Sequence, residues 1–207
     1  MPAAPIRRNR PYAARMARED RREQLLDVVL DIIDTDGIAA VSMDAVARRA
    51  GVTRPVVYGV FTDTDDLLRN SLNRESDRAL AQLADALPTP GAPPVPAFTA
   101  LFDAYLHALV AAPQRWRAAY MITDSNTKAF QKRINRLRAL LVHHFAEALR
   151  PALPADADIE LTAGHLLAAL WESGRLLLIH PDAYPHDRLL RSLETLVTAL
   201  IPDVPGR

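Results

Sequence analysis

The chain is expected to be all-α: an N-terminal three-helix unit built around a helix-turn-helix, then a longer C-terminal helical domain, about nine helices in total. Three observations predict the helical class. Apolar residues recur at three- and four-residue spacing along nearly the whole chain, and no stretch alternates as a half-buried strand does. Capping hydroxyls and carboxylates open these stretches, and glycines or prolines close them. Between Ile38 and Phe61 a helix, a tight turn and a short helix follow one another, which is the shape of a helix-turn-helix.

Residues 1–17 mix Pro2, Pro5 and Pro11 with Arg7, Arg8, Arg10 and Arg15, show no periodicity, and read as a flexible basic arm. Through Arg22 there are seven arginines against two acids. Such an arm can track phosphates or enter a minor groove, or it can be a solvated tail; both readings stand. The domain expected over 18–64 begins with a helix from Arg18 to Asp36, its stripe formed by Leu25, Val28, Val29, Ile32 and Ile33. Asp27, Asp31, Asp34 and Asp36 are expected in water, and Gly37 is the stop.

Ser42 is a good N-cap, followed by Met43, Val46, Ala47 and Ala50 at helical spacing until Gly51 ends the helix. Thr53 is a second N-cap, and Pro55 sits in the first turn, where a missing amide costs nothing. Val52, Val57 and Phe61 can face inward, which turns Thr53, Arg54, Val56, Tyr58 and Gly59 elsewhere. A second helix of this kind lies in the major groove, where an arginine such as Arg54 pairs bidentately with guanine for about 1–3 kcal/mol of discrimination. The hydroxyls of Ser42, Thr53 and Tyr58 suit phosphate oxygens.

The second domain is expected over 65–207. Asp63 and Asp66 resemble a capping box that opens a long helix with Leu68, Leu72, Ala79, Leu83 and Leu87 as its seam. That helix is long enough to link the two domains. Residues 88–96 hold five prolines, so helix is excluded there and a semi-rigid loop is expected. Further helices follow around Phe98–Leu109, Gln114–Ile122, Phe130–Phe145, Asp158–Ile179 and Pro185–Ile201.

From Arg18 to Leu68 the sequence resembles the N-terminal domain of the TetR family of bacterial transcriptional regulators. The pieces that carry the resemblance are Asp36-Gly37, Val41-Ser42 with Val46-Ala47, Ala50-Gly51-Val52, Thr53-Arg54 with Val57-Tyr58 and Phe61, and Asp66-Leu67-Leu68. The resemblance implies a homodimeric, ligand-responsive repressor on a palindromic double-stranded operator, with DNA contacts at Ser42, Thr53, Arg54, Pro55, Tyr58 and Thr64. Two positions depart from the family pattern. Thr64 stands where a lysine is usual, so a neutral donor replaces a charged one. Gly59-Val60 stands where aromatic or histidine residues are frequent, which puts a contact beside Tyr58 in doubt.

Terminal helices in such proteins form a four-helix dimer interface; here that implies Leu166, Leu170, Gly174, Leu177, Leu189, Leu193 and Leu196. Aromatic and polar residues in the middle helices form a candidate pocket for a small apolar or aromatic effector: Phe102, Tyr105, Trp116, Tyr120, Phe130, Trp171, Glu172 and Arg175. A helical binding or scaffold protein whose helix-turn-helix only packs is the alternative.

Net charge is zero, so any nucleic-acid affinity must come from a local face. With no cysteine, thiol nucleophiles, thiolate metal sites and disulfides are excluded. Neither a nucleophile elbow, an HExxH pair, a phosphate loop nor a dinucleotide fingerprint occurs, so an enzyme, a cofactor and catalytic residues are not expected. His143 and His144 point about 100° apart on a helix and cannot share a metal, while His107, His165, His180 and His186 are scattered; no metal site is expected. No apolar run is read as long enough to span a membrane, and a soluble cytoplasmic protein is expected.

Overall fold

The computed structural model describes residues 17–124 and 128–201, and the reading of residues 1–16 as a basic arm lies outside them. Nine α-helices and no strand occur among the described residues: α1 (Arg18–Asp36), α2 (Met43–Arg49), α3 (Arg54–Tyr58), α4 (Thr64–Leu83), α5 (Pro94–Ala111), α6 (Pro113–Asp124), α7 (Lys128–Leu149), α8 (Ile159–Ile179) and α9 (His186–Leu200).

Local chemistry sets most boundaries. The Ser42 hydroxyl accepts the Ala45 amide at 3.1 Å and opens α2. Gly51 takes φ +66°, a left-handed turn that only glycine adopts without strain. Thr53 holds the N-cap position of α3 without a side-chain cap bond, so its hydroxyl remains available, contrary to its reading as a working cap. Asp63 accepts the Asp66 amide at 2.7 Å, and Asp66 in turn accepts the Thr62 amide at 3.1 Å. This reciprocal pair is the capping box read from the sequence, shifted by one residue at its return bond.

Two apolar cores result. The head core joins Leu25, Leu26, Val29, Ile32 and Ile33 of α1 to Val46, Val57, Phe61, Leu67, Leu68 and Leu72. It also takes in Ala118 and Ile122 of α6 and Phe130 of α7, so the body helices reach into the head. The body core centres on Phe98, Phe102, Tyr105, Leu109, Phe145, Leu149, Leu166 and Leu170. Helix α4 belongs to both, with Leu68 and Leu72 in the first, and Ala79 and Leu83 packed against the second.

Four expectations need correction. Pro94 and Pro96 lie inside the first turn of α5, where prolines are tolerated, so the proline-rich loop is shorter than expected. Asp34 is mostly buried rather than solvated, because Arg117 of α6 donates to it at 2.6 Å. Helix α5 does reach the length and apolarity of a membrane span, with a mean hydropathy of 1.2 over 18 residues. Seven of its residues, Phe98 and Tyr105 among them, nevertheless face the interior of the fold.

The expected dimer seam is the fourth. Leu166, Leu170, Gly174, Leu177, Leu189 and Leu193 are all buried within the single chain, and only Leu196, 37% exposed, reaches the surface. Periodicity had found the inner stripe of both helices. Gly174 shows the physical reason most clearly. A Cβ there would overlap the hydroxyls of both Tyr105 and Tyr120 and lie 2.8 Å from Leu109 Cδ2. The Tyr120 hydroxyl donates to the Trp171 carbonyl at 2.7 Å, so Tyr105 must donate to Tyr120. Burial pushes both phenols well above their ordinary range, and they stay protonated.

Gly174→Ala is therefore expected to lower stability by about 1–3 kcal/mol, read as a drop in denaturant midpoint at constant slope. Gly164→Ala on the same helix meets no atom within 4 Å and should hold or raise the midpoint. A second expectation concerns acid. The Thr62 amide, and after it Arg69, hold the Asp66 carboxyl below its ordinary 3.8. Its contribution is present above that pH and is lost as pH falls through the lowered native value. Asp66→Asn should flatten the fall of Tm below about pH 4.

Candidate nucleic-acid interface

The outward side of α2 and α3 is built by the turn at Gly51 and by the inward anchors Val46 and Val57, both fully buried. With Val57 committed to the core, Thr53, Arg54, Pro55, Val56 and Tyr58 are left in solvent, and Ser42 joins them from the start of α2. Tyr58 is 48% exposed and Val56 36%, large exposures for such side chains beside a well-packed core. Thr64, half-buried, opens α4 at the edge of this face. The six residues expected at DNA thus occupy solvent-accessible or edge positions around three helix starts, those of α2, α3 and α4.

The arginine is already held. Arg54 Nε lies 2.5 Å from Asp44 of α2, and its guanidinium sits 5.9 Å from the Tyr58 ring centroid. Tyr58 first, then Asp44, raise its pKa above the ordinary value, so it is a permanent cation. Asp44 was not singled out from the sequence. Its place two residues past the N-cap of α2 favours a carboxylate through the helix dipole, and that was the available signal. Arg49, the other basic residue near this face with a visible partner, is tied to Asp31 and Asp36 of α1.

A second candidate site lies in the body. A cavity of about 340 Å³ is enclosed by α4, α5, α6, α7 and α8. Its wall is mainly Leu72, Ala79, Leu83, Leu101, Ile122, Ile134, Leu137, Leu141 and Leu170, with Tyr105, Trp116, Phe145 and Trp171 supplying aromatic surface. Of the eight residues expected here, Tyr105, Trp116, Trp171 and Glu172 line it. Tyr120 stands behind the wall, its ring 4.1 Å from that of Trp171. Phe102 is buried against Phe98, and Phe130 belongs to the head core. Arg175 is exposed and paired with Glu172 at 2.7 Å. Those four were placed in the pocket by composition alone, which cannot tell pocket from core.

The residue that sequence reasoning missed is Glu75. Only 3% exposed, it lines the cavity from α4 and receives Arg74 Nε at 2.7 Å. Arg115 Nε of α6 lies 2.8 Å from its other oxygen, at an angle that makes an ion pair without an aligned hydrogen bond. A charged residue in an apolar seam was the available signal.

A helix-turn-helix head with an exposed arginine and tyrosine, carried by a helical body that holds an apolar cavity, is the architecture of a DNA-binding transcriptional regulator. The chain belongs to the TetR family. Residues 25–70 match the family described as bacterial regulatory proteins, tetR family. The chain is 32% identical to the transcriptional regulator BetI of Burkholderia thailandensis over 168 residues, covering 77% of this chain and 84% of that protein. It is 27% identical to the transcriptional repressor KstR of Rhodococcus jostii over 190 residues, 90% of this chain and 85% of the relative. Among solved structures, a transcriptional regulator of Pseudomonas aeruginosa superposes with a TM-score of 0.77 at 22% identity, over 92% of this chain and 94% of that one. NalD, a secondary repressor of a multidrug efflux pump in the same organism, gives 0.71 at 20% identity, over 90% and 98%.

Proposed function

We propose that this regulator is a ligand-responsive repressor: a cytoplasmic homodimer that holds a palindromic operator and releases it when a small apolar or aromatic molecule enters the body cavity. The head spans residues 18–64, the body 65–207, and the arm 1–17 adds sequence-independent phosphate attraction. The observation that carries the reading is the sharing of α4. Leu72, Glu75, Ser76, Ala79, Leu80 and Leu83 form one wall of the cavity, while Leu67, Leu68 and Leu72 of the same helix pack in the head core. A ligand that fits better when α4 shifts changes the head's placement in proportion to its differential affinity for the two arrangements.

On DNA, Arg54 leaves Asp44 to read a base edge, and Ser42, Thr53, Tyr58 and Thr64 donate to phosphates, with Pro55 shaping the start of the reading helix. Two copies meet through the outward faces of α8 and α9. Those faces carry Leu161, His165, Ala168, Glu172, Arg175 and Ile179, at alternating four- and three-residue spacing, and Leu196. The revised set replaces the buried seam, and an isologous contact sets two reading helices about one DNA turn apart, ~34–36 Å.

Binding to the DNA flanking its own gene, measured by fluorescence anisotropy across a salt series, tests the reading; tight, sequence-selective binding with a steep salt slope is expected. Arg54→Ala should cost about 1–3 kcal/mol at the cognate site and little at scrambled DNA. Tyr58→Phe should weaken all duplexes alike by about 1 kcal/mol. Equal losses at both duplexes for Arg54→Ala would remove its base-reading role.

The cavity is tested separately with the apolar fluorophore 1-anilinonaphthalene-8-sulfonate. Ala119→Phe, which fills the cavity from α6, should abolish its saturable binding and leave operator affinity within about twofold of wild type. Undiminished dye binding in the variant places the dye elsewhere and counts against the cavity as the effector site.

A further inference from the structure

On the side of the body away from the cavity wall, α5 and the start of α9 bring three metal-ligating side chains together. Asp103 and His107 stand four residues apart on α5, so they share one face. His186, the first residue of α9, is laid against them by the packing of the two helices. Asp103 Oδ1 lies 3.3 Å from His107 Nδ1 and 3.2 Å from His186 Nε2. The two imidazole rings meet at 4.3 Å between centroids, and one donor atom from each of the three residues falls within 4.8 Å of the others.

Ligands at about 2.0–2.1 Å around a tetrahedral ion are separated by roughly 3.3 Å, and both contacts to Asp103 have that length. His186 supplies the stronger point. Its Nδ1 lies 3.2 Å from the Asp187 carboxylate, and its Nε2 points at Asp103 Oδ1 from the other edge of the ring, the arrangement in which a carboxylate behind a histidine orients the opposite nitrogen toward a ligand position. That Nε2 is buried and has no hydrogen-bond partner among the described residues. A ring nitrogen and a carboxylate oxygen at 3.2 Å are held together by a positive charge, either a proton on the ring or a metal ion, and zinc binding displaces the proton. A second carboxylate behind a histidine is also how metal-bound imidazoles are oriented.

We infer that Asp103, His107 and His186 form a binding site for a divalent transition-metal ion, zinc by preference, that clamps α5 to the first turn of α9. Two neutral imidazoles and one carboxylate suit zinc, with cobalt and nickel as weaker substitutes of the same ligand taste. Asp103 and Asp187 together balance the ion's two charges and offset the unfavourable N-terminal end of the α9 dipole. His107, largely exposed, leaves the remaining position to water. On binding it exchanges its present hydrogen bond to the Asp103 carbonyl, 2.9 Å from Nδ1, for the metal. This site is independent of the apolar cavity and of the DNA-binding face.

The test uses the full, untagged chain, stripped with a chelator and titrated with zinc by calorimetry and with cobalt by its visible absorption. One equivalent per chain is expected, with cobalt giving the intense bands of a low-coordinate site. At a hundredfold excess over Kd, zinc should raise Tm by on the order of 5 °C. His107→Ala removes an exposed side chain, so its fold and stripped Tm should match wild type while zinc affinity falls at least about tenfold. Asp187→Asn should weaken binding by about 10–100-fold without changing the stoichiometry. His143→Ala, exposed on α7 and outside every site described, should leave zinc uptake unchanged. Absence of saturable zinc uptake, or uptake unchanged in a His107→Ala/His186→Ala double variant, overturns the assignment.

Discussion

The structure depends on what happens to two charged side chains in the middle of α4. Arg74 and Glu75 are 8% and 3% exposed at the junction between the head and body cores. Taking them from water is costly, and their own pairing at 2.7 Å does not satisfy all their atoms. Part of the remainder comes from other helices, although Arg74 Nη2 keeps no hydrogen bond among the described residues. Arg74 reaches the Glu23 carbonyl and carboxylate at 3.1 Å and Asp27 at 2.9 Å on α1, while Glu75 meets Arg115 of α6. Removing one member of such a buried set costs about 3–5 kcal/mol, whereas apolar packing tolerates a slip far better. The network therefore selects one register of α4 against α1 and α6. Because Glu75 also lines the cavity, the group that fixes this register is the group a ligand would meet.

A second tie reinforces the first. Asp34 of α1 takes Arg117 of α6 at 2.6 Å, and Ala118 and Ile122 from the same helix enter the head core. The head is thus held by α4 along the chain and by α6 through space. A change in the cavity, which both helices line, has two routes to the reading helix.

What the sequence revealed was local. Ser42, Gly51, Pro55, Asp63 and Asp66 act on amides within four residues, so their chemistry could be read before any tertiary contact was known. The inward stripes of α1 and α2 were legible for the same reason, since a helix of known period has one core face. What failed was every question of which surface a face meets. Helix α8 is apolar nearly all round, and its inner leucines resemble its outer ones in sequence; only packing separates Leu166 and Leu170 from Leu161 and Ile179. Asp34 looked like its neighbours Asp31 and Asp36 until Arg117, far along the chain, arrived beside it. His186 was invisible as a partner of Asp103 and His107 because helix packing alone makes them neighbours.

Charge adds a constraint on how the head engages DNA. Between residues 18 and 64 there are six arginines and nine acids, so the reading module itself is acidic. Much of that acid is spent internally: Asp31 and Asp36 on Arg49, Asp34 on Arg117, Glu23 and Asp27 on Arg74. These pairs leave the acids on the α1 side of the head partly neutralised, with Asp34 turned toward protein and Asp27, Asp31 and Asp36 still exposed. Arg49 is consumed in the process, and Arg54 begins in the company of Asp44. Cationic side chains outside these pairs include Arg48 of α2 and the four arginines of residues 1–17, a segment without a single acid. Neutral donors position without adding counterion release. On the function proposed above, base reading falls to a helix that Val57 and Phe61 hold rigidly, and the arginines ahead of α1 add sequence-independent attraction.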